Sequence, residues 1–360
     1  MIRKSGKIRQ RRILNEIELL SGCGAGLHAI ASPFCGAVRE LLSCRSTMLI
    51  WFDKDERPIG FFHDSAPAEL KDLFIANLDA AFTKSETVNA MSTARPEGPL
   101  VGKTFDSRVR ALLYSTNIRR HFCAPLGYHH VIYIRAQAPE NGLAVFFAWN
   151  DEARPFTTQH TDLLEQIQPL MQRALALGTQ EGQWRSLAKG NPHFITCMDG
   201  CRLIAIDDEA QDILIGSHLF RQEEQMPKRA RHTPGFARLL SQQLETADGA
   251  AIVLPVPDGR LVCRAKPTKL IRDSGSDEAG VFVSIDLQQW DGVARIRHLM
   301  GLALTPLQRR IALFAMQAGE RSDCATRFGI SHAAVKEHTK TIYGEVGVHG
   351  WRELARWMPA

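Results

Sequence analysis

No run of about eighteen consecutive apolar residues occurs in this chain of 360 residues, so no membrane-spanning helix is expected. The basic start (Arg3, Lys4, Lys7, Arg9, Arg11, Arg12) is not followed by the unbroken apolar stretch of a secretory leader. Asn15, Glu16 and Glu18 interrupt it, so a cytoplasmic location is expected. Catalytic signatures are missing as well. There is no GxSxG elbow, no HExxH, no P-loop and no GxGxxG, and the chain reads as a non-enzyme. Internal repeats and low-complexity segments are also lacking. Of the eight cysteines, only Cys197 and Cys201 stand close together. Asp199-Gly200 between them reads as a hairpin turn. Without an export signal a disulfide framework is not expected, and the thiols should be reduced. The doublet His129-His130 and the nearby Cys123 are read as structural, so no metal or cofactor is predicted.

What the chain does contain is ordinary for a globular protein: 44% hydrophobic and 23% charged residues. Its length suggests about two or three domains. The net charge of +5 is small, and its placement is more informative. The six N-terminal bases have no acidic neighbour through Leu14, which fits either a nucleic-acid-touching arm or a solvated tail. After Met300 there are eight Lys/Arg against five Asp/Glu, an excess of three.

Hydrophobic periodicity then divides the chain. Residues 9–42 read as two helices interrupted around Ser32-Pro33. Strands are expected at 47–52, 59–62, 130–136 and 142–149, and helices at 69–82, 105–121 and 157–177. A polar loop should span 83–102. Strands closed by a helix suggest an α+β domain on an antiparallel sheet over 1–177. After a linker at 178–183, a second small mixed domain spans 184–290. It has a hairpin around Asp199-Gly200, a helix at 209–215, a basic loop at 226–235, and strands at 252–256, 261–265 and 280–285. A connecting helix leads through 291–303 to an all-α domain at 304–360.

That last segment carries the strongest signal. Thr305 can cap a helix, Pro306 suits its first position, and Gln308 completes a capping box. Ile311, Leu313, Phe314 and Ala318 supply its apolar side. A second helix follows at 321–328, with Cys324 and Phe328 buried and Ala325 small enough for a close crossing. Gly329 can take the positive φ of a tight turn, and Ile330 anchors it. Ser331 caps a third helix running to about residue 345, with Val335, Ile342 and Val346 inward. Lys336, Glu337, Lys340 and Thr341 project outward. This is a helix-turn-helix, whose second helix reads the major groove. Lysine there can meet phosphate or guanine, and glutamate can accept from cytosine N4.

The segment 304–357 resembles the C-terminal domain of LuxR-type transcriptional regulators. It does so through LTP at 304–306, GIS at 329–331, VKxH at 335–338, IY at 342–343, and GV followed by EL at 347–354. The resemblance implies a four-helix domain whose third helix reads DNA, with Ser331, Lys336, Glu337, Lys340 and Thr341 at the interface. It implies a fourth helix that pairs two protomers, placing Trp351, Leu354 and Met358 there. Ala334, Glu345, Trp351, Leu307 and Gln308 depart from the family's usual residues. Residues 15–177 loosely resemble a GAF-type sensory domain and 192–287 a PAS domain. Such domains hold small molecules or pair with each other. Trp51, Phe61, Tyr133 and Trp149, with His130 and Phe147, are the candidates to line a pocket for an unidentified small-molecule effector.

The expected protein is therefore multidomain: two α+β sensory domains followed by an all-α helix-turn-helix domain. Its expected function is transcription regulation, as a homodimer on double-stranded promoter DNA. The alternative is a signalling adaptor with a degenerate helix-turn-helix acting through protein contacts.

Overall fold

The computed structural model describes residues 2–52, 58–64, 101–103, 123–139, 142–177, 184–197, 203–217, 220–222, 230–232, 251–256, 259–271, 277–317 and 319–357. It opens with helices α1 (Ile2–Ser21), α2 (Gly26–Ala29) and α3 (Ala31–Leu42). The helices break twice, at residues 22–25 and at Ile30, two residues before the expected interruption around Ser32-Pro33. Gly24 and Gly26 take φ of 82° and 77°, where a side chain is costly, and the chain turns there. Pro33 sits instead in the first turn of α3, where its missing N–H has no intrahelical acceptor to lose. The basic start belongs to α1 rather than to a frayed tail. Arg9 and Arg12 reach Glu40 of α3 at 2.9 and 3.5 Å.

Five strands follow: β1 (Ser46–Phe52), β2 (Pro58–His63), β3 (Val101–Lys103), β4 (His130–Ala138) and β5 (Gly142–Asn150). They form an antiparallel sheet in the order β2-β1-β5-β4-β3. Helix α4 (Thr158–Ala176) closes it as the apolar stripe required, with Leu164, Ile167, Met171 and Leu175 buried. Alternate strand residues divide between two cores. Leu49, Trp51, Ile134, Ala144 and Phe146 pack against Ile17, Leu20, Phe34, Val38 and the α4 stripe. Ile50, Tyr133, Val145, Phe147 and Trp149 face the other way. Both faces are covered, which is why these strands read as continuous apolar runs without polar alternation. Beside the short β3, two glutamines of α4 serve the free edge of β4. Gln168 donates to the Arg135 carbonyl at 2.9 Å, and Gln172 accepts from the Gln137 amide at 2.9 Å. Strand edges left bare invite pairing with other chains.

The second sheet uses β6 (Trp184–Ser186), β7 (His193–Cys197), β8 (Leu203–Ile206), β11 (Ile252–Val256), β12 (Gly259–Ile271) and β13 (Asp277–Trp290). Its path β11-β12-β13-β7-β8 repeats the antiparallel order of the first sheet, with β6 added along β13. Helix α5 (Asp208–Gly216) follows β8 and is capped by Asp207, whose carboxylate accepts from the Ala210 amide at 2.7 Å. Strands β12 and β13 run well past the expected 261–265 and 280–285. Pro267 is tolerated within β12 because β11 pairs only as far as Cys263. The expected basic loop at 226–235 contains β10 (Ala230–His232), paired with β9 (Phe220–Gln222). Residues 288–290 are strand, paired with β6, and the helix that follows begins at Asp291. The expected helices at 69–82 and 105–121, the linker at 178–183 and the turn at Asp199-Gly200 lie outside the described residues.

Helices then complete the chain: α6 (Asp291–Gly301), α7 (Pro306–Met316), α8 (Cys324–Phe328) preceded by a 3-10 turn at Arg321–Asp323, α9 (His332–Val346) and α10 (Trp351–Arg356). They share one core of Leu299, Leu304, Ile311, Ala312, Ala315, Met316, Cys324, Val335, Ile342 and Leu354. The capping box of α7 forms: Gln308 accepts from the Thr305 amide at 2.8 Å, and Thr305 Oγ1 accepts from the Gln308 amide at 3.3 Å. The Arg309 guanidinium donates to the carbonyls of Leu299 and Leu302, both at 3.0 Å, and so binds the end of α6. Arg295 ties α6 to the Met316 carbonyl at 3.3 Å. Among the described residues no helix is long and apolar enough to cross a membrane.

Candidate nucleic-acid interface

Helices α8 and α9 meet at Gly329, whose φ is 63°. A Cβ at that position would touch nothing within 4 Å, so the backbone conformation, not the space, is what calls for glycine. The Ile330 amide donates back to the Ala325 carbonyl at 3.0 Å, and Ser331 Oγ accepts from the Ala334 amide at 3.1 Å. The turn is therefore closed on one side and the new helix capped on the other.

One side of α9 is buried: Val335, Thr339 and Ile342, spaced by four and three residues. Arg321 donates to Thr339 Oγ1 at 3.3 Å, and the Thr339 hydroxyl donates to the Lys336 carbonyl at 3.0 Å. The 3-10 turn before α8 thus fixes the rotation of α9 about its own axis. Phe328 meets Phe314 edge-on at 5.8 Å, joining α8 to α7. Cys324 has no exposed surface and packs in this core, and burial pushes its thiol up in pKa against the pull of Arg321.

With that side inward, Lys336, Glu337, Lys340 and Thr341 are all exposed. The i, i+4 spacing sets Lys336 above Lys340 and Glu337 above Thr341, two rows on one surface. The Thr341 hydroxyl donates to the Glu337 carbonyl at 3.3 Å. A double row of two ammonium groups, a carboxylate and a hydroxyl on a rigid helix can meet phosphate oxygens and base edges.

Two residues of this segment, Glu345 and Trp351, have partners distant in the chain that sequence spacing did not reveal. Glu345 accepts from the Ala303 amide at 3.3 Å and braces the loop before α7. Trp351 donates to the Gly319 carbonyl at 2.9 Å. Gln308 is the capping-box residue, and Leu307 packs against the shared core. Trp351 and Leu354 are both engaged inside their own subunit, Leu354 with no exposed surface. Met358 lies outside the described residues. The signal that could have found the two struts is a long polar or indole side chain at a helix end near a loop with unpaired amides or carbonyls.

The aromatic candidates separate. Trp51 faces the helices and packs on His28, ring centroids 4.9 Å apart. Burial, with the Arg260 guanidinium adding repulsion, pushes the His28 imidazole down to about 4. Phe61, Tyr133 and Trp149 lie on the opposite face of the first sheet, with Phe147. There Tyr128, Trp149 and Phe147 stack in sequence, at 5.3 and 5.8 Å. Among the described residues the buried Trp149 indole N–H has no hydrogen-bond acceptor. His130 sits at the rim, in contact with the Glu152 carbonyl at 3.1 Å.

Beside this face lies a polar cluster missed in the sequence. His63 Nε2 is 3.2 Å from Ser46 Oγ and 3.3 Å from the Tyr128 hydroxyl. Ser46, His63 and Asp64 have the composition of a hydrolytic triad but not its geometry. The Ser46 hydroxyl donates to Asp64 at 3.0 Å, Asp64 is 3.9 Å from His63 Nδ1, and Ser46 and His63 are both buried. Among the described residues no group of three His, Cys, Asp or Glu assembles that could hold a metal ion.

No family model matches the chain, and no curated protein matches it. Solved structures with some likeness include the complex of phage VqmA with DPO, 19% identical over 46% of this chain and 81% of that one, TM-score 0.21. The Vibrio cholera VqmA–ligand–DNA complex is 16% identical over 47% and 82%, TM-score 0.25. A bacteriophytochrome from the photosynthetic bacterium R. palustris is 12% identical over 83% and 74%, TM-score 0.25. At these TM-scores none of the three bears on what this chain is.

Proposed function

We propose that this chain is a DNA-binding transcriptional regulator without enzymatic activity, acting in the cytoplasm as a homodimer on double-stranded promoter DNA. In this reading residues 1–177 and 184–290 are sensory domains, 291–303 connect them, and 304–360 form a four-helix helix-turn-helix domain of LuxR type. One observation carries it. The face of α9 bearing Lys336, Glu337, Lys340 and Thr341 is exposed, while its opposite face is locked into the bundle.

Lys336 and Lys340 contact phosphate or guanine O6/N7, and Glu337 accepts from cytosine N4. Ser331 acts at one remove, as the cap that starts the helix. An effector binds on the aromatic face of Phe61, Tyr133 and Trp149. Its control of DNA binding requires a difference in affinity between two arrangements of the chain.

The test is selection of duplexes from a random-sequence pool by the full chain, followed by fluorescence anisotropy. Enrichment of a defined sequence, bound more weakly after Lys336→Ala, supports the reading. Failure to enrich any sequence removes it and favours the adaptor alternative, which draws support from the small basic excess of three after Met300.

A further inference from the structure

Helix α1 lies against both the first sheet's core and the C-terminal helices. Its Ile13, Ile17 and Leu20 belong to the core behind the first sheet, and that core also takes in Val293 and Ile296 of α6 and Leu313 of α7. Leu313 thus leaves the bundle's own core, which α7 serves through Ile311, Ala312, Ala315 and Met316. The sequence had placed Leu313 with Ile311 on a single apolar side.

Polar ties follow the same seam. Glu18 meets Arg310 at 3.4 Å, Gln317 donates to the Gly22 carbonyl at 2.5 Å, and the Asn15 amide reaches Met300 Sδ at 3.8 Å. The ion pair is exposed and adds little by itself; the shared apolar burial holds the seam, and the polar ties set its register. At Gly22 a Cβ would lie 3.3 Å from the Arg173 guanidinium of α4. The corner after α1 therefore touches α4, which backs the first sheet, and α7, which begins the bundle. Lys336 and Lys340 remain exposed beside all of this. The seam positions the bundle and does not cover its reading face.

We propose that α1 is the joint by which the first sheet sets where the C-terminal bundle stands, so that an effector on that sheet moves or frees the bundle instead of uncovering α9. This rests on the DNA-binding, homodimeric reading above. Two bundles held in place meet a two-armed DNA site already ordered; freed bundles must be ordered on binding, which weakens the complex. A duplex carrying one arm engages one bundle and is indifferent to the joint.

The experiment compares the full wild-type chain with Leu313→Ser, using the duplex selected by the wild-type chain and a version cut to one arm. Amide exchange in residues 13–22 and 291–301 is expected to rise at least about tenfold while that of 332–346 stays protected. Affinity for the two-armed duplex is expected to fall roughly three- to tenfold, with one-armed binding unchanged. A milder variant, Arg310→Glu, is expected to give the same pattern in smaller measure, restored by adding Glu18→Lys. Unchanged exchange in both variants, or equal loss on both duplexes, overturns the proposal. A wild-type chain that selects no duplex overturns the function reading, and this proposal falls with it. A wild-type chain that binds while neither variant loses two-armed affinity overturns the joint alone.

Discussion

Single side chains in this protein do work that their residue type does not announce. Trp351 is the clearest case, since its indole N–H satisfies the Gly319 carbonyl across 32 residues of sequence. Trp351→Phe keeps the ring's bulk and leaves that carbonyl without its donor, a loss of about 1–3 kcal/mol. A drop in the denaturant midpoint at unchanged slope is the expected result, and an unchanged midpoint would show that water replaces the indole. His28 makes a second prediction. Its imidazole ordinarily titrates near 6.5 and is held down to about 4 by burial and by Arg260. The unfolded chain takes up that proton first, so this contribution to stability is complete above 6.5 and is lost as pH falls toward 4. Glu16, raised by burial, works in the opposite sense, so the comparison must be made against a variant. His28→Gln should lose less melting temperature than the wild-type chain between pH 7 and pH 5. Equal losses would place His28 in a solvated setting.

At the scale of elements, what the sequence made legible was local. The capping box at Thr305 and Gln308, the cap at Ser331, the glycine turn at Gly329 and the stripe of α4 each depend on residues within a few positions. The elements that escaped depend on partners far away. Strand β6 is three residues long and exists through pairing with residues 288–290, about a hundred positions later. The outer reaches of β12 and β13 hold each other and carry a proline besides, which pattern alone reads as a stop. The corner at residues 22–25 carries its signal in Gly24 and Gly26 and was outranked by Ser32-Pro33, whose own break falls two residues earlier, at Ile30. The outward face of α9 followed the same rule. Its exposed lysines were legible from helical spacing, whereas the Glu345 strut, 42 residues from its partner, was not. Gly329 offers the test at this scale. With open space around its Cβ position, Gly329→Ala changes backbone strain alone, by roughly 1–2 kcal/mol for the left-handed conformation. Thermal unfolding should show that loss, and no loss would mean that the turn adopts another conformation.

At the largest scale, two sheets of the same strand order precede a helical bundle whose Lys336 and Lys340 are exposed on α9. A continuous core runs from the first sheet through α1 to α7, so the bundle is seated on the first sheet while its α9 lysines face outward. The outward side of α9 is exposed, an arrangement that suits the regulation through position proposed above. The decisive measurement is the salt dependence of binding to a selected duplex for the wild-type chain, Lys336→Ala and Lys340→Ala. Each lysine that meets DNA releases counterions on binding, so each substitution should weaken affinity and lower the slope of log K against log salt by about one. Both lysines are exposed, so melting temperature should not change. Wild-type slopes and affinities in both variants would mean that the outward face of α9 is not where this protein meets DNA.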